Sequence, residues 1–193
     1  MLKRAFFIFI ALFMGYQSLS ATTAATSPQY AFQLVKSTIG DAVSIIENTK
    51  ISDADKRAKL SILVTPFFDF KTITMLTVGK EYWSKLTPSE VQSLSTTYQT
   101  YLMKFYLDKV TQFSTGKITY GSPISVSTTK VHIPVTMFGD GREYKMLYKL
   151  YYKDGWKAYD FELEGVSIIQ TYHTQFEPYL KKGDIAGLIR VLK

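Results

Sequence analysis

Nucleophilic catalysis needs a hydroxyl or thiol served by a nearby base, and this 193-residue chain offers few such pairings. It has no cysteine, which removes thiolate nucleophiles, disulfides and thiolate metal sites together. Gly165-Val166-Ser167 resembles half of a nucleophile elbow, but Ile169 stands where Gly-x-Ser-x-Gly needs its second glycine. Ser167 reads instead as a helix cap, placed where a strand pattern gives way to a helical one. His132 and His173 lie far apart without paired spacing, so they indicate neither a triad base nor a zinc cluster. His132 reads as a polar-face strand residue and His173 as a helix-surface residue. Asp160, Glu162 and Glu164 alternate with Tyr159, Phe161 and Leu163. That is the pattern of a solvated strand face able to pair with Lys145 and Lys149 on a neighbouring strand, more than of a calcium site. No glycine-lysine phosphate loop occurs. No catalytic residue, metal site or cofactor is assigned.

The elements that would carry these residues are amphipathic throughout. From Pro28, the residues Ala31, Leu34, Val35, Ile39, Ala42, Val43 and Ile46 recur every three or four positions, which predicts a helix ending near Asn48. Ser52-Asp53-Ala54-Asp55 begins a second helix that runs toward Pro66, and 67–78 reads as short helical turns. Thr87-Pro88-Ser89-Glu90 is a capping box with proline at the first helical position, and it opens a long helix over 87–113. The apolar stripe of that helix is rich in aromatics, including Tyr98, Tyr101, Phe105 and Tyr106. After Gly116 the period becomes two, as Val131, Ile133, Val135 and Met137 alternate with polar or small residues. Gly139-Asp140-Gly141 and Lys153-Asp154-Gly155 turn the chain into two further strands. Gly165 is read as ending the sheet, followed by a helix through Val166, Ile169, Tyr172 and Phe176 that stops before Pro178, and by a short helix over 184–192. Helices, then strands, then helices predict an α+β fold: an antiparallel twisted sheet of four to five strands with helices packed on one face.

Lys3 and Arg4 precede an apolar run that is too short to span a bilayer, so residues 1–20 read as a cleaved signal peptide and 21–193 as a single domain. The net charge is +7, and +5 without Lys3 and Arg4, spread over single lysines. Without a basic run, nucleic acid is not an expected partner. The large apolar residues on the facing surfaces fit either a closed core or a cavity.

Further motifs carry a family likeness. Phe67-x-Asp69-Phe70, Val78-Gly79-x-x-Tyr82-Trp83 and Leu86-Thr87-x-x-Glu90 are followed by Trp156-Lys157-Ala158-Tyr159-Asp160-Phe161, Glu164-Gly165-Val166-Ser167-Ile168 and Tyr172-His173-x-Gln175-Phe176. In this order and spacing the chain resembles the MlaC family, the soluble periplasmic phospholipid-binding component of the maintenance-of-lipid-asymmetry system, also known as toluene-tolerance auxiliary proteins. His173 stands where that family is expected to carry arginine.

The resemblance implies a monomeric, non-enzymatic periplasmic carrier with an apolar lipid cavity and bound phospholipid as cargo. It would pass lipid between an outer-membrane lipoprotein complex and an inner-membrane lipid transporter bearing a ring of lipid-binding domains. At about 0.8 kcal/mol per methylene, exposing a fifteen-carbon tail to water costs on the order of 12 kcal/mol, which is why such a carrier needs a cavity. Expected lining residues are Phe70, Leu76, Trp83, Leu102, Phe105, Val135, Met137, Met146, Tyr148, Leu150, Val166, Ile169 and Tyr172. A hopanoid or quinone would use the same cavity, and a closed core would instead suit a module that binds other proteins.

Overall fold

The computed structural model describes residues 25–110, 116–139 and 141–193. The expected signal peptide, the end of the long helix beyond 110, and Asp140 of the expected hairpin turn lie outside them. Among the described residues, five helices come first. In α1 (Pro28–Ile46), Ser27 caps the amide of Tyr30, and Ala31, Val35, Ile39 and Ile46 are buried. In α2 (Asp53–Val64), Ser52 accepts from the amide of Asp55 at 3.1 Å, and Leu60 is the one fully buried side chain. Next come α3 (Phe70–Val78), the single turn α4 (Lys80–Trp83), and α5 (Pro88–Val110). The capping box forms at the head of α5: Glu90 N–H donates to Thr87 Oγ1 at 3.3 Å, and Thr87 N–H to Glu90 Oε2 at 2.8 Å.

The strands are β1 (Ile118–Tyr120), β2 (Ile124–Ser127), β3 (Lys130–Gly139), β4 (Arg142–Tyr152), β5 (Trp156–Leu163) and β6 (Val166–Ser167). All pair antiparallel in the order β1-β3-β4-β5-β6, with β2 also on the outer edge of β3, so the sheet is open. The β3–β4 register sets Val131 opposite Leu150, Ile133 opposite Tyr148 and Val135 opposite Met146. The side chains that the period of two placed on one face therefore do share a face. Two helices close the chain, α6 (Ile168–Lys182) and α7 (Ile185–Val191).

Two boundaries differ from the sequence reading. Glu164 and Gly165 both take positive φ, 52° and 78°, the geometry of a two-residue turn that matches strand twist. The chain therefore folds back as β6, with Val166 opposite Leu163, and the helix begins only at Ile168. Pro178 lies inside α6 rather than beyond it. A proline in a helix interior costs about 3 kcal/mol. Here Tyr172, Phe176 and Leu180 form one buried stripe across it, each worth about 1.5–3 kcal/mol, so burial carries the helix through.

Two apolar cores result. One lies under α1, where Ala31, Val35 and Ile39 meet Val131, Ile133, Val135, Leu150 and Ala158. The other is helical, built from Ile73, Leu94, Tyr98, Tyr172, Phe176 and Leu188. Phe68 packs against both. Its segment is fixed to the edge of β5, because Ala158 N–H donates to Phe67 O and Asp69 N–H to Ala158 O, each at 2.9 Å. Asp69 then caps α3, accepting from the amide and hydroxyl of Thr72 at 2.9 and 2.8 Å and from the hydroxyl of Tyr151 on β4. Burial pushes its carboxyl up, but the hydrogen bonds from Tyr151 and Thr72 outweigh this and hold it below its ordinary value.

A lowered folded-state value means that the charge of Asp69 stabilises the fold above the ordinary aspartate range, and that this part is lost as pH falls through the lowered value. Asp69→Asn keeps a cap acceptor but loses the charge. We predict a loss of about 1–2 kcal/mol in urea unfolding at neutral pH, and a smaller loss in acid, below the ordinary aspartate range. An equal gap at both pH values would contradict this account of the carboxylate.

Candidate functional site: an apolar cavity between the two cores

Between the cores lies a cavity of about 230 Å³. The sheet contributes Met137, Met146, Tyr148 and Phe161, and α5 faces it with Leu102, Met103, Tyr106 and Leu107. Leu60 and Val64 of α2 close one side, Phe68, Phe70 and Ile73 another, and Ile168 stands at the head of α6. Spacing explains the helical contributions: Leu60 and Val64, Leu102 and Tyr106, and Met103 and Leu107 are each four apart, one above the other on a helix face. Ring contacts stiffen part of the wall. Tyr148 stacks on Phe161 at 6.0 Å between centroids, and Tyr106 meets Phe161 edge-on at 5.7 Å. Met103, Met137 and Met146 supply unbranched side chains that adapt to an occupant's shape. Burial pushes the Tyr148 hydroxyl up to about 12, so it stays neutral.

Of the thirteen residues expected to line a cavity, the structure brings Phe70, Leu102, Met137, Met146 and Tyr148 around this one. Val135 and Leu150 share the inner face but lie toward α1, packed into its core at 1% and 0% exposure. Tyr172 is in the helical core, edge-on to Tyr98 at 5.4 Å, and Trp83 packs on the same core. Ile169 is half-buried and off the cavity, which its neighbour Ile168 lines. Three others are exposed. Leu76 lies on the outer side of α3, Val166 is turned out by the Glu164-Gly165 turn, and Phe105 stacks on Tyr101 in a separate groove beside α7. The residues not anticipated include Met103, Leu107, Leu60 and Val64. The last two stand among Ile62 and Leu63 in an apolar end of α2, so spacing alone did not single them out.

Asp160 is a carboxylate at the cavity's edge, and at 5% exposure it is not on the solvated face that alternation suggested. A register shift between Lys149 and Leu150 displaces β5 here. Asp160 accepts from Lys149 Nζ at 2.9 Å, Ser167 Oγ at 2.8 Å and the amide of Ile169 at 3.4 Å, so it binds the start of α6 to β4. Ser167 Oγ in turn accepts from the amide of Gln170 at 3.3 Å, as a cap does.

The carboxylate that accepts from Ser167 is itself engaged by Lys149. Burial pushes Lys149 down, but Glu162 and Asp160 push it up by more, so it keeps its proton. Burial and Lys149 both lower His132, which pairs opposite Lys149 in the sheet. His173 is tied elsewhere, its Nδ1 2.7 Å from the carbonyl oxygen of Thr77 near the end of α3. Among the described residues, no group of three His, Asp or Glu side chains could hold a metal ion, and no helix is long and apolar enough to cross a membrane.

The comparisons agree with this architecture. A family model described as MlaC protein matches residues 36–193. Among solved structures, the chain is similar to the phospholipid-binding protein from Ralstonia solanacearum in complex with a phospholipid, with a TM-score of 0.73 and 24% identity over 83% of this chain and 93% of that one. That likeness is one of fold. No curated protein matches the chain.

If the cavity is the binding site, filling it must compete with a ligand. Met137→Phe with Met146→Phe is expected to weaken binding of an apolar fluorescent probe at least tenfold, while circular dichroism and the cooperative unfolding transition are retained. Unchanged probe affinity in this folded variant would place the site elsewhere.

Proposed function

The chain belongs to the MlaC family, and on that premise we propose that it is a non-enzymatic periplasmic carrier that shelters the acyl chains of a phospholipid in the cavity between its two cores. The observation that carries this reading is the cavity wall, which is apolar apart from Asp160 at its edge. Such a wall replaces the hydrocarbon of a bilayer, and apolar contact discriminates little between head groups, so broad head-group specificity follows. The Ralstonia solanacearum protein of the same fold, held in complex with a phospholipid, supports the same cargo.

Volume bears on mechanism. An apolar cavity of about 150 Å³ takes one benzene. On that scale the 230 Å³ here suits about nine carbons, well short of two acyl chains. Loading therefore requires the walls to part, and the methionines suit walls that close again on cargo of varied shape. In the full reading, residues 1–20 direct export and are removed, and 21–193 act as a monomer. This domain accepts and delivers lipid at an inner-membrane transporter with a ring of lipid-binding domains and at an outer-membrane lipoprotein complex.

Native mass spectrometry of the exported protein, followed by analysis of what it releases, tests this directly. The expected species is the 21–193 chain with one or two bound phospholipids. A homogeneous ligand-free chain that also takes no lipid from vesicles would contradict the carrier reading and favour a protein-binding module. Release of a hopanoid or quinone alone would contradict phospholipid as the cargo.

A further inference from the structure

We propose that the seam between α2 and α5 is the portal of the cavity, and that the groove outside it seats the charged head group; this rests on the carrier reading above. A groove of about 580 Å³ runs between these helices on the outer side. It shares two wall residues, Met103 and Leu107 of α5, with the inner cavity. A single layer of unbranched or singly branched side chains thus separates a solvent-facing trough from an apolar interior. A lipid whose tails lie in one and whose head lies in the other would cross at this layer.

The two spaces differ in the way that the two ends of a phospholipid differ. Arg57 of α2 and Lys104 of α5 set cations on opposite walls of the groove, with Ser61 and Gln99 between them as neutral hydrogen-bonding groups. Two cations and neutral donors about an open trough match a phosphodiester, which carries one negative charge and several acceptor oxygens. Helical spacing makes both halves of the site from one element, since Lys104 stands beside Met103 on α5 and the outer face becomes the inner one within a single turn.

The neighbouring wall is also the one least committed to the fold. α2 buries Leu60 fully and leaves Ile62 76% exposed. The segment that follows it, 67–69, is fixed independently to β5 by backbone hydrogen bonds. α2 can therefore move away from α5 while that anchor, and both cores, stay in place.

The absence of native cysteine makes a clean test possible. Cysteines replacing Ala58 and Thr100, which line opposite sides of the groove, are joined in the folded protein by a cleavable bis-maleimide. Uptake of fluorescent phosphatidylglycerol from vesicles is then followed. The expected result is uptake at least tenfold slower in the cross-linked protein and restored on cleavage. Uptake at the rate of the unlinked protein would overturn the portal while leaving the carrier reading intact, whereas no uptake by the unlinked protein would overturn both. A second variant, Arg57→Gln with Lys104→Gln, is expected to lose most of the preference for phosphatidylglycerol over diacylglycerol, which lacks the phosphate. A preference equal to that of the unsubstituted protein would remove the head-group assignment.

Discussion

The inner face of the sheet is longer than the helix laid across it, and the rest of the architecture follows from that mismatch. β3 has ten residues, about 33 Å of extended chain. α1 buries only its first half, where Val131, Ile133 and Val135 meet Ala31, Val35 and Ile39. The far half, ending in Met137, must be covered by something else. The helices that do so, α3, α5 and α6, bury their best surfaces on one another around Tyr98 and Phe176. Neither core fills the space left between them, and that space is the cavity.

Keeping such a space open requires its borders to be held by something other than packing across it. Hydrogen bonds and buried charge do this on both sides. Asp69 joins the head of α3 to Tyr151 of β4, beside the backbone pairing of 67–69 with β5. Asp160 joins Lys149 of β4 to the head of α6 through Ser167. Both carboxylates sit at helix N-termini, where the aligned amides favour negative charge. His173 adds a third tie, from α6 to the end of α3. The stiff frame and the loosely held α2 are then complementary: the frame preserves the cavity, and the weakly buried helix is the element free to admit cargo.

This division of labour explains how much of the protein was legible in its sequence. Periodicity found the helices, the sheet and its inner face, because the burial of one face is a local property that recurs at 3.6 or 2 residues. It could not say which end of that face α1 would cover. Val135 and Met146 therefore read as equivalent, although Val135 is wholly within a core and Met146, packed against the same core, also lines the cavity. Pro178 read as a stop because the stripe that carries α6 through it is rewarded only by long-range packing. Asp160 read as solvated because its partners Lys149 and Ser167 come from two other elements. The motifs that carried the family likeness include Asp69, Asp160 and Ser167, with His173 as the one departure from the pattern. In the structure these residues fasten the frame, and only a few of the motif residues, such as Phe70 and Phe161, also face the cavity.

The central claim is that acyl chains occupy the space between the two cores, and photo-crosslinking tests it most directly. A phospholipid bearing a diazirine midway along one tail is loaded into the protein, irradiated, and the modified peptides are mapped by mass spectrometry. The account predicts adducts on the sheet around Met137, Met146 and Phe161 and on the facing residues of α5 around Leu102 and Tyr106. Adducts confined to the groove beside α7, at Phe105 and Val191, or spread over the surface, would contradict it.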